Sequence, residues 1–319
     1  MRIAVVVPVS SYEPAEILVQ SARHIKNLDF RGMSVKILYV IDLNGENDNR
    51  AEILKKEGVE VLQRENSRGR RAGAINDALE ALKDFGPAYI AIFDVDSRPA
   101  KDFIVKCVKA LNAEPRAYIA SSPRYISNIK NLVSSTICAE YMLINFLLKR
   151  TGFRQFNGLI GVLRADYLFK YRLNEDAITE DADFATRMHA KRFKALLVNT
   201  AVYEQAPLTW RDLFNQRERW YYGGLQLWKY WKEVKKSRWP KFICSWVIAL
   251  TLTYFVFLLL PFILLSPPLI LYKFKSIKKL TITAGLAIHM LLLQCAALKA
   301  IMNFRKKRGV EWKAIKRSF

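Results

Sequence analysis

Short apolar, β-branched runs alternate with amphipathic stretches over the first hundred positions of the chain. The runs predict buried strands, and apolar residues at helical spacing between them predict helices. The predicted strands are Ile3–Val7, Val35–Val40, Val59–Leu62 and Ala88–Phe93, and the predicted helices are Ala15–Lys26, Glu52–Glu57 and Gly73–Lys83. This alternation predicts an α/β fold with a mostly parallel sheet that is covered by helices.

Apolar stretches of a different kind dominate the last third of the chain. Phe242–Leu265 is 24 residues long without a charge, enough to cross a hydrocarbon layer of about 30 Å. Leu280–Met302 is a second candidate span, and the aromatic, Lys-rich residues 228–241 are typical of an interfacial helix. Leu132–Leu148, which contains Glu140, predicts a buried or membrane-facing helix of the soluble domain.

The basic residues around the two spans bear on their orientation. Four lysines between the spans oppose placing that loop outside, but the larger basic excess lies on the outer flanks. We expect a two-span hairpin with both flanks cytoplasmic, and a re-entrant Phe242–Tyr272 broken at its prolines is the alternative. The predicted division is a catalytic domain over 1–227, an interfacial helix over 228–241, a transmembrane region over 242–303 and a basic cytoplasmic tail over 304–319.

Charge is distributed as unevenly as hydrophobicity. Residues 228–319 carry 18 Lys/Arg against 2 Asp/Glu, a net +16 of the chain's +22. Because these basic runs flank apolar segments, they favour anionic lipid headgroups, at about 1 kcal/mol per basic residue, over nucleic acid. The four cysteines have no C-x-x-C spacing, and the first residues form a strand rather than a signal peptide. We therefore expect a multi-pass protein of the cell membrane with a cytoplasmic catalytic domain.

Two acidic motifs are candidates for chemistry. Asp94 and Asp96 follow a predicted buried strand as D-x-D, where carboxylates can hold a hard divalent cation or can simply form a solvated turn. Thr179-Glu180-Asp181 precedes a helical segment. It provides either a helix cap with acids in the first turn or a carboxylate that accepts the proton of a hydroxyl group.

A third motif lies close to the predicted membrane segments. Gln216, Arg219 and Trp220 stand at i, i+3 and i+4 and share one helical face. Arg219 can bind a diphosphate bidentately and an indole offers an apolar platform to a sugar ring, whereas an amphipathic helix at a membrane would have the same pattern.

Taken together in this order, the motifs resemble those of membrane-integrated family 2 glycosyltransferases of the D, D, D, QxxRW class, which includes cellulose, chitin and hyaluronan synthases and ceramide glucosyltransferases. The resemblance covers roughly residues 3–225. It implies a Rossmann-like GT-A domain and inverting hexosyl transfer from a nucleotide-diphosphate sugar, expected to be a UDP-sugar. It also implies Mg²⁺ or Mn²⁺ as the cofactor.

On the donor side, the resemblance assigns residues position by position. Asp42 matches the aspartate that contacts the base, and Arg71 matches the basic position of the K-A-G-A-L-N segment near the diphosphate. Asp94 and Asp96 match the metal- and donor-binding pair. Pro8 opens the nucleotide-contacting segment, although Val9-Ser10-Ser11-Tyr12-Glu13 lacks the Asn-Glu usual after this proline.

On the acceptor side, Asp181 matches the general base. Asn157 and Gly158 resemble the acceptor-lining segment, in which this class often has Cys where Asn157 stands. The remaining matches are Glu180 beside the base, Gln216 and Trp220 at the acceptor end, and Arg219 at the diphosphate.

The acceptor itself is open. Two spans cannot enclose a polymer channel in a monomer, so we expect a membrane lipid or lipid-linked saccharide as acceptor. The alternatives are a processive polysaccharide synthase that works as a homo-oligomer and a non-catalytic membrane scaffold on a transferase fold.

Overall fold

A seven-stranded sheet forms the centre of the N-terminal part of the protein. Its strands follow the spatial order β3-β2-β1-β4-β8-β6-β9, and only β8 runs antiparallel to its neighbours. In chain order the strands of the protein are β1 (Arg2–Val9), β2 (Ser34–Asp42), β3 (Glu60–Arg64), β4 (Tyr89–Ile92), β5 (Arg98–Pro99), β6 (Ala117–Ser121), β7 (Arg124–Ile126), β8 (Gly161–Arg164), β9 (Lys194–Leu197) and β10 (Val202–Glu204). The predicted α/β fold with a mostly parallel sheet is thereby confirmed.

The computed structural model describes residues 1–45 and 47–310. The predicted basic tail, 304–319, therefore lies outside the described residues from position 311 onward. The chain divides into two compact units: the first comprises Met1–Arg124, Arg154–Glu204 and Lys232–Ser237, and the second comprises Tyr125–Phe153, Gln205–Trp231 and Arg238–Phe319. The sequence places residues 125–153 and 205–227 in the catalytic domain instead, and that functional boundary stays a prediction.

Twelve α-helices accompany the strands over the described ranges. They are α1 (Ala15–Lys26), α2 (Arg50–Lys56), α3 (Arg70–Ala81), α4 (Phe103–Ala113), α5 (Leu132–Leu148), α6 (Ala165–Tyr171), α7 (Glu180–Ala190), α8 (Trp210–Gln226), α9 (Trp231–Lys236), α10 (Pro240–Thr251), α11 (Ser266–Phe274) and α12 (Thr281–Arg305). Short 3₁₀ segments cover Asn157–Leu159, Leu227–Tyr230, Leu252–Leu265 and Ile277–Leu280. The predicted interfacial helix over 228–241 is wrong as one element, because a 3₁₀ turn, α9 and the start of α10 divide it.

Burial of both sheet faces explains the continuous apolar strands. Ile3, Val5 and Val7, on one face of β1, are fully buried, and so are Ala4 and Val6 on its other face. The first three belong to a core cluster that includes Ile17 of α1. A buried hydroxyl pair, Tyr39 Oη to Ser21 Oγ at 2.8 Å, ties β2 to α1 without an unpaired polar group.

The reversed strand β8 determines which loops meet at one edge of the sheet. In the β4–β8 pair, Ile92 at the carboxyl end of β4 lies opposite Gly161 at the start of β8. The loop that leads into β8 therefore lies at the same edge as the loop that leaves β4. Ligands of such sheets bind beyond this edge.

The second unit is helical. Its helix α5 begins with a capping box in which Asn131 Oδ1 accepts from the Ser134 amide at 3.0 Å. Helix α12 approaches α5 so closely at Gly285 that an added Cβ would lie 2.1 Å from Thr136 Oγ1. Glu218 of α8 is fixed to α12 by Lys299 and by Asn303, each at 2.8 Å.

Two stretches of the second unit are long and apolar enough to cross a membrane. They are Pro240–Pro261 and Ile277–Arg305, and they confirm the two apolar helical segments predicted near the C-terminus. The first is not a regular α-helix throughout, because after Thr251 it continues as a 3₁₀ segment with a non-helical residue at Phe255 and a proline at 261.

Candidate active site

A guanidinium group lies at the centre of the candidate site in the first unit. Arg71 donates from Nε to Asp94 Oδ1 and from Nη1 to Glu180 Oε1, both at 2.9 Å. Its Nη2 is buried and has no hydrogen-bond partner among the residues that the structure describes. Arg71 is thus a fork between the D-x-D motif and the acidic motif before α7.

Local sequence explains how Arg71 reaches this position. Helix α3 begins after Gly69, which has a left-handed φ of +62°, and Arg71 is its second residue. Gly73 allows the helix to approach the preceding turn, because a Cβ there would lie 2.0 Å from the Arg68 carbonyl oxygen. The sequence predicts that this helix begins at Gly73; it begins three residues earlier, at Arg70, directly after the glycine-rich turn.

Burial and charge act in opposite directions on this cluster. Burial lowers the pKa of Arg71, but the carboxylates of Asp94 and Glu180 outweigh it, so that its pKa is raised and the group stays charged. Burial raises the pKa of Glu180, Arg71 opposes this rise, and the negative charge of Asp181 adds to it. Burial is the largest of these effects, so the pKa of Glu180 is raised above its usual value.

Asp181 sits in the first turn of α7 with its carboxylate held by the backbone. Oδ2 accepts from the Gly158 amide at 2.6 Å, and Oδ1 accepts from the Ala182 amide at 2.8 Å. The side chain of Thr179, the N-cap residue, makes no capping hydrogen bond. The acids of this motif are therefore positioned by α7 and by the loop before β8 rather than serving the cap alone.

Gly158 adjoins all parts of the cluster. Its φ is +62°, and an added Cβ would lie 3.2 Å from both Arg71 Nη2 and Asp94 Oδ2. The carbonyl of its neighbour Asn157 accepts a hydrogen bond from Arg124 Nη2. The structure thus brings Arg71, Asp94, Gly158, Glu180 and Asp181 together, with Asn157 adjoining.

The D-x-D turn offers oxygen ligands for a metal ion. Asp94 is partly exposed, with 36% of its side chain accessible, and Asp96 is buried. In the two described ranges, no group of three or more His, Cys, Asp or Glu side chains could hold a metal ion by itself. Two carboxylates fit a hard divalent cation that takes its other ligands from a diphosphate and water.

Asp42 and Pro8 lie farther along the same edge. Asp42 ends β2 and is buried, and Arg64 Nη1 donates to its Oδ1 at 2.8 Å. Burial raises the pKa of Asp42, and the charge of Arg64 partly offsets this. Pro8 lies in β1 opposite Val40 of β2.

A polar cavity follows the ends of β1 and β2. Its volume is about 340 Å³, and its lining includes Tyr12, Asn44, Asp48 and Arg50. Arg50 Nη2 also donates to the Asp42 carbonyl at 2.8 Å. The cavity therefore adjoins Asp42, the residue that the resemblance assigns to contact with the nucleotide base.

Three arginines of this region were missed by the sequence analysis. Arg64 holds Asp42, Arg50 lines the cavity, and Arg124 holds the Asn157 carbonyl. The available signal was their place: Arg64 ends β3, while Arg50 and Arg124 follow the ends of β2 and β6, where ligands of parallel sheets bind.

The third motif lies in α8 of the second unit. Gln216, Arg219 and Trp220 are half-buried, whereas Arg217 between them is fully buried and bonds Glu140 Oε2 at 2.5 Å. The Arg217 guanidinium also stacks 4.0 Å from the Trp220 ring centroid. Helix α8 thus carries a buried ion pair at Arg217, and the three motif residues beside it are only partly accessible.

Comparisons with known proteins give the family. The model for "Glycosyl transferase family group 2" matches residues 89–300, and that for "Glycosyl transferase family 2" matches residues 5–166. Together they reach from β1 into α12.

Two curated relatives share 28% and 26% of the matched residues with this chain. A beta-monoglucosyldiacylglycerol synthase of Trichormus variabilis is 28% identical over 70% of this chain and 49% of its own length. A probable glucomannan 4-beta-mannosyltransferase of Oryza sativa is 26% identical over 52% of this chain and 32% of its own. The chain thus spans half or less of the length of these two relatives.

Among solved structures, the mannosyltransferase PcManGT from Pyrobaculum calidifontis, in complex with GDP-Man and Mn²⁺, matches 96% of this chain and 88% of its own with a TM-score of 0.65 and 16% identity. At that identity the likeness establishes the fold, which is of the GT-A type as predicted. On the family matches, which cover more than half of its residues, the chain belongs to glycosyltransferase family 2.

Proposed function

We propose that this protein transfers a sugar from a nucleotide-diphosphate sugar to a hydroxyl group of a membrane lipid or lipid-linked saccharide, with inversion at the anomeric carbon. The observation that carries the proposal is the cluster in which Arg71 joins Asp94 to Glu180 while Asp181 is held by the Gly158 amide. Family membership supports the reaction type.

In this proposal the donor lies along the carboxyl edge of the sheet. The cavity after β1 and β2, beside Asp42, receives the nucleoside, and Asp94 and Asp96 face the diphosphate. PcManGT is named with GDP-Man and Mn²⁺, which supports a nucleotide sugar and a divalent cation here. Asp94 and Asp96 would hold Mg²⁺ or Mn²⁺, which when bound would neutralise charge on the departing diphosphate.

Asp181 is the proposed general base. The acceptor oxygen forms a bond to the anomeric carbon while the bond from that carbon to the diphosphate breaks, and Asp181 takes the acceptor proton. Its two backbone hydrogen bonds orient the carboxylate and leave a second lone pair on each oxygen. We assign Glu180 and Asn157 to the acceptor side, and Gln216, Arg219 and Trp220 to the diphosphate and acceptor end.

A membrane-bound acceptor is supported by two observations. One relative is named a glucosyldiacylglycerol synthase, and the second unit has two stretches long and apolar enough to cross a membrane. Large apolar side chains there are widely exposed, including Leu264 at 80% and Tyr272 at 83%. We therefore propose a multi-pass protein of the D, D, D, QxxRW class, with its catalytic unit in the cytoplasm and its basic flanks against anionic headgroups.

A polysaccharide acceptor is the second candidate, favoured by the relative named a glucomannan mannosyltransferase. Purified full-length protein incubated with radiolabelled UDP- and GDP-sugars, Mn²⁺ and lipid extract distinguishes the two. We expect label in an organic-soluble product, and long lipid-free polymer alone would refute the lipid acceptor. No release of nucleotide from any donor would refute the enzyme and favour a scaffold.

Asp181→Asn tests the assignment of Asp181 as the general base. The asparagine oxygen can still accept the Gly158 amide, but the side chain cannot take a proton, so we expect transfer to fall about 10²- to 10⁴-fold with donor affinity kept. Asp166→Asn, at an exposed position of α6, is the matched control. Transfer at the wild-type rate in Asp181→Asn would contradict the assignment.

A further inference from the structure

One peptide group at the edge of the site is bonded at both of its ends. The carbonyl of Asn157 accepts from Arg124 Nη2, and the amide of Gly158, the other half of the same peptide unit, donates to Asp181 Oδ2 at 2.6 Å. In a trans peptide these two groups point in opposite directions. Arg124 and Asp181 therefore determine the rotation of this plane from opposite sides.

The backbone around this peptide is held in an uncommon conformation. Gly158 has a φ of +62°, and the next residue, Leu159, has a φ of +49° although it carries a side chain and is buried. A left-handed conformation is disfavoured for a residue with a Cβ, because the Cβ comes too close to the following carbonyl oxygen. Such conformations persist where surrounding contacts impose them, and they cluster at functional sites.

Neighbouring contacts hold the rest of this segment without involving the peptide itself. Ser121 Oγ donates to the Ile160 carbonyl at 2.6 Å, and the Leu159 amide donates to the Phe156 carbonyl at 2.8 Å. The 157–158 peptide has three partners: Asp181 at its amide, and at its carbonyl both Arg124 and the Ile160 amide, the last at 3.3 Å. Asp181 is the group to be positioned, and of the two donors to the carbonyl Arg124 is the charged one, which makes the stronger hydrogen bond.

Arg124 is itself fixed by a carboxylate. Its Nη1 bonds Glu204 Oε2 of β10 at 3.0 Å, and both side chains are almost completely buried. The guanidinium is planar and rigid, so that a bond to Glu204 on one nitrogen sets the direction of the other. A cation at the carbonyl end also polarises the peptide and strengthens donation by its N–H.

We propose that Arg124 and Glu204 are positioning residues for Asp181, acting through the peptide between Asn157 and Gly158. The inference rests on the proposed role of Asp181 as general base. Glu204 orients Arg124, Arg124 holds the carbonyl, and the opposed amide keeps one oxygen of Asp181 in place. The other side of that oxygen is then presented to the acceptor hydroxyl in a fixed direction.

Arg124→Met removes the charged donor to the Asn157 carbonyl, leaves the longer bond from the Ile160 amide, and keeps much of the side-chain volume. We expect kcat to fall about 10- to 100-fold, because small misplacements of a reacting group have effects of that order, while KM for the nucleotide sugar stays within about twofold. Arg164→Met is the matched control: its guanidinium also bonds two backbone carbonyls of the first unit, those of Ala117 and Leu111.

Glu204→Gln is the second variant, and it decides the matter if Arg124→Met does not fold. It retains an oxygen for Arg124 but removes the charge that fixes the guanidinium. We expect a smaller, several-fold fall in kcat, again without a change in donor KM. A kcat equal to that of Arg164→Met in every folded variant would overturn the proposal.

An amide-exchange measurement keeps this test separate from the proposed function. The chain has 13 glycines, so ¹⁵N-glycine labelling gives a small spectrum in which Gly158 is assigned by its loss in Gly158→Ala. We expect the Gly158 amide to exchange at least several-fold faster in Arg124→Met than in Arg164→Met. Unchanged exchange would overturn the inference even in an active enzyme, whereas faster exchange in a protein without transferase activity would refute only the function.

Discussion

Replacing Arg71 with Met tests whether the central guanidinium holds the site together. The change removes hydrogen bonds of 2.9 Å to both Asp94 and Glu180 and leaves the two carboxylates without their shared cation. The Arg71 and Glu180 side chains are 21% and 13% exposed, so their contact is largely screened from water. The Asp94 side chain is 36% exposed, so water can solvate it after the change, and the loss of its contact with Arg71 costs little stability.

Removing one partner of a buried ion pair costs roughly 3–5 kcal/mol, and with partial exposure we expect about 3 kcal/mol here. For a chain of 319 residues, with an unfolding entropy of about 2.1 cal/mol/K per residue, that lowers Tm by about 4–5 °C. The deficit depends on pH. Burial already raises the pKa of Glu180, and loss of Arg71 raises it further, so the folded variant loses stability as pH increases through that pKa and Glu180 ionises.

The assay is thermal unfolding of the detergent-solubilised full chain with EDTA, at about pH 5 and about pH 8. Arg71→Met should be much less stable than wild type at the higher pH and closer to it at the lower. The double variant Arg71→Met/Glu180→Gln should be more stable than Arg71→Met at the higher pH, because neither charge is left alone. Arg23→Met, which breaks the solvent-exposed pair with Glu57, should leave the stability nearly unchanged at both pH values. An equal loss at both pH values, or no recovery in the double variant, would refute the reasoning.

Two further changes probe packing in each unit. Gly285→Ala should destabilise the protein by roughly 1–3 kcal/mol because its Cβ would collide with Thr136 Oγ1, and Thr136→Ala in the same chain should restore part of this in unfolding experiments. His189 is buried beside the Ala185 carbonyl, and burial lowers its pKa to about 4. Between about pH 6.5 and pH 4 the histidine is protonated in the unfolded chain but neutral in the folded chain, so the stability of the fold falls as pH drops through this range. His189→Gln should flatten that decline between about pH 6.5 and 4.5 in denaturant titrations; an unchanged slope would contradict the assignment.

Much of the catalytic unit was predictable because its patterns are local. Continuous apolar runs located β1, β2 and β4, and turn chemistry located Asp94 at the end of a buried strand. The acids before α7 were visible for the same reason, since a cap and a first helical turn are local features. That Arg71 would join Asp94 to Glu180 was not visible, because the three residues come from separate segments whose contact only the sheet order determines.

Elements whose surroundings are set by tertiary contacts were predicted less well. Helix α5 is nearly uniformly apolar, and such a pattern does not say which unit buries it; the structure groups it with the C-terminal helices. The first apolar stretch has the length of one span, but after Thr251 it is 3₁₀, and Pro261 within it lacks the backbone N–H that a continuous α-helix needs. Arg124 carries no sequence signal beyond its place after a strand.

The reversed strand β8 also bears on how the site forms during folding. Its pairing with β4 joins Tyr89 to Arg164, and the intervening chain includes α5 and the whole excursion Tyr125–Phe153 into the second unit. Pairs so far apart in sequence form slowly, so we expect this edge of the site to be among the last parts of the sheet to assemble. Doubling the length of a flexible loop raises the free energy of closing it by only about 0.6 kcal/mol. Residues inserted in a flexible loop beside α5, and not in the packed helix itself, would therefore cost little stability, and the effect would appear mainly as slower formation of the native site.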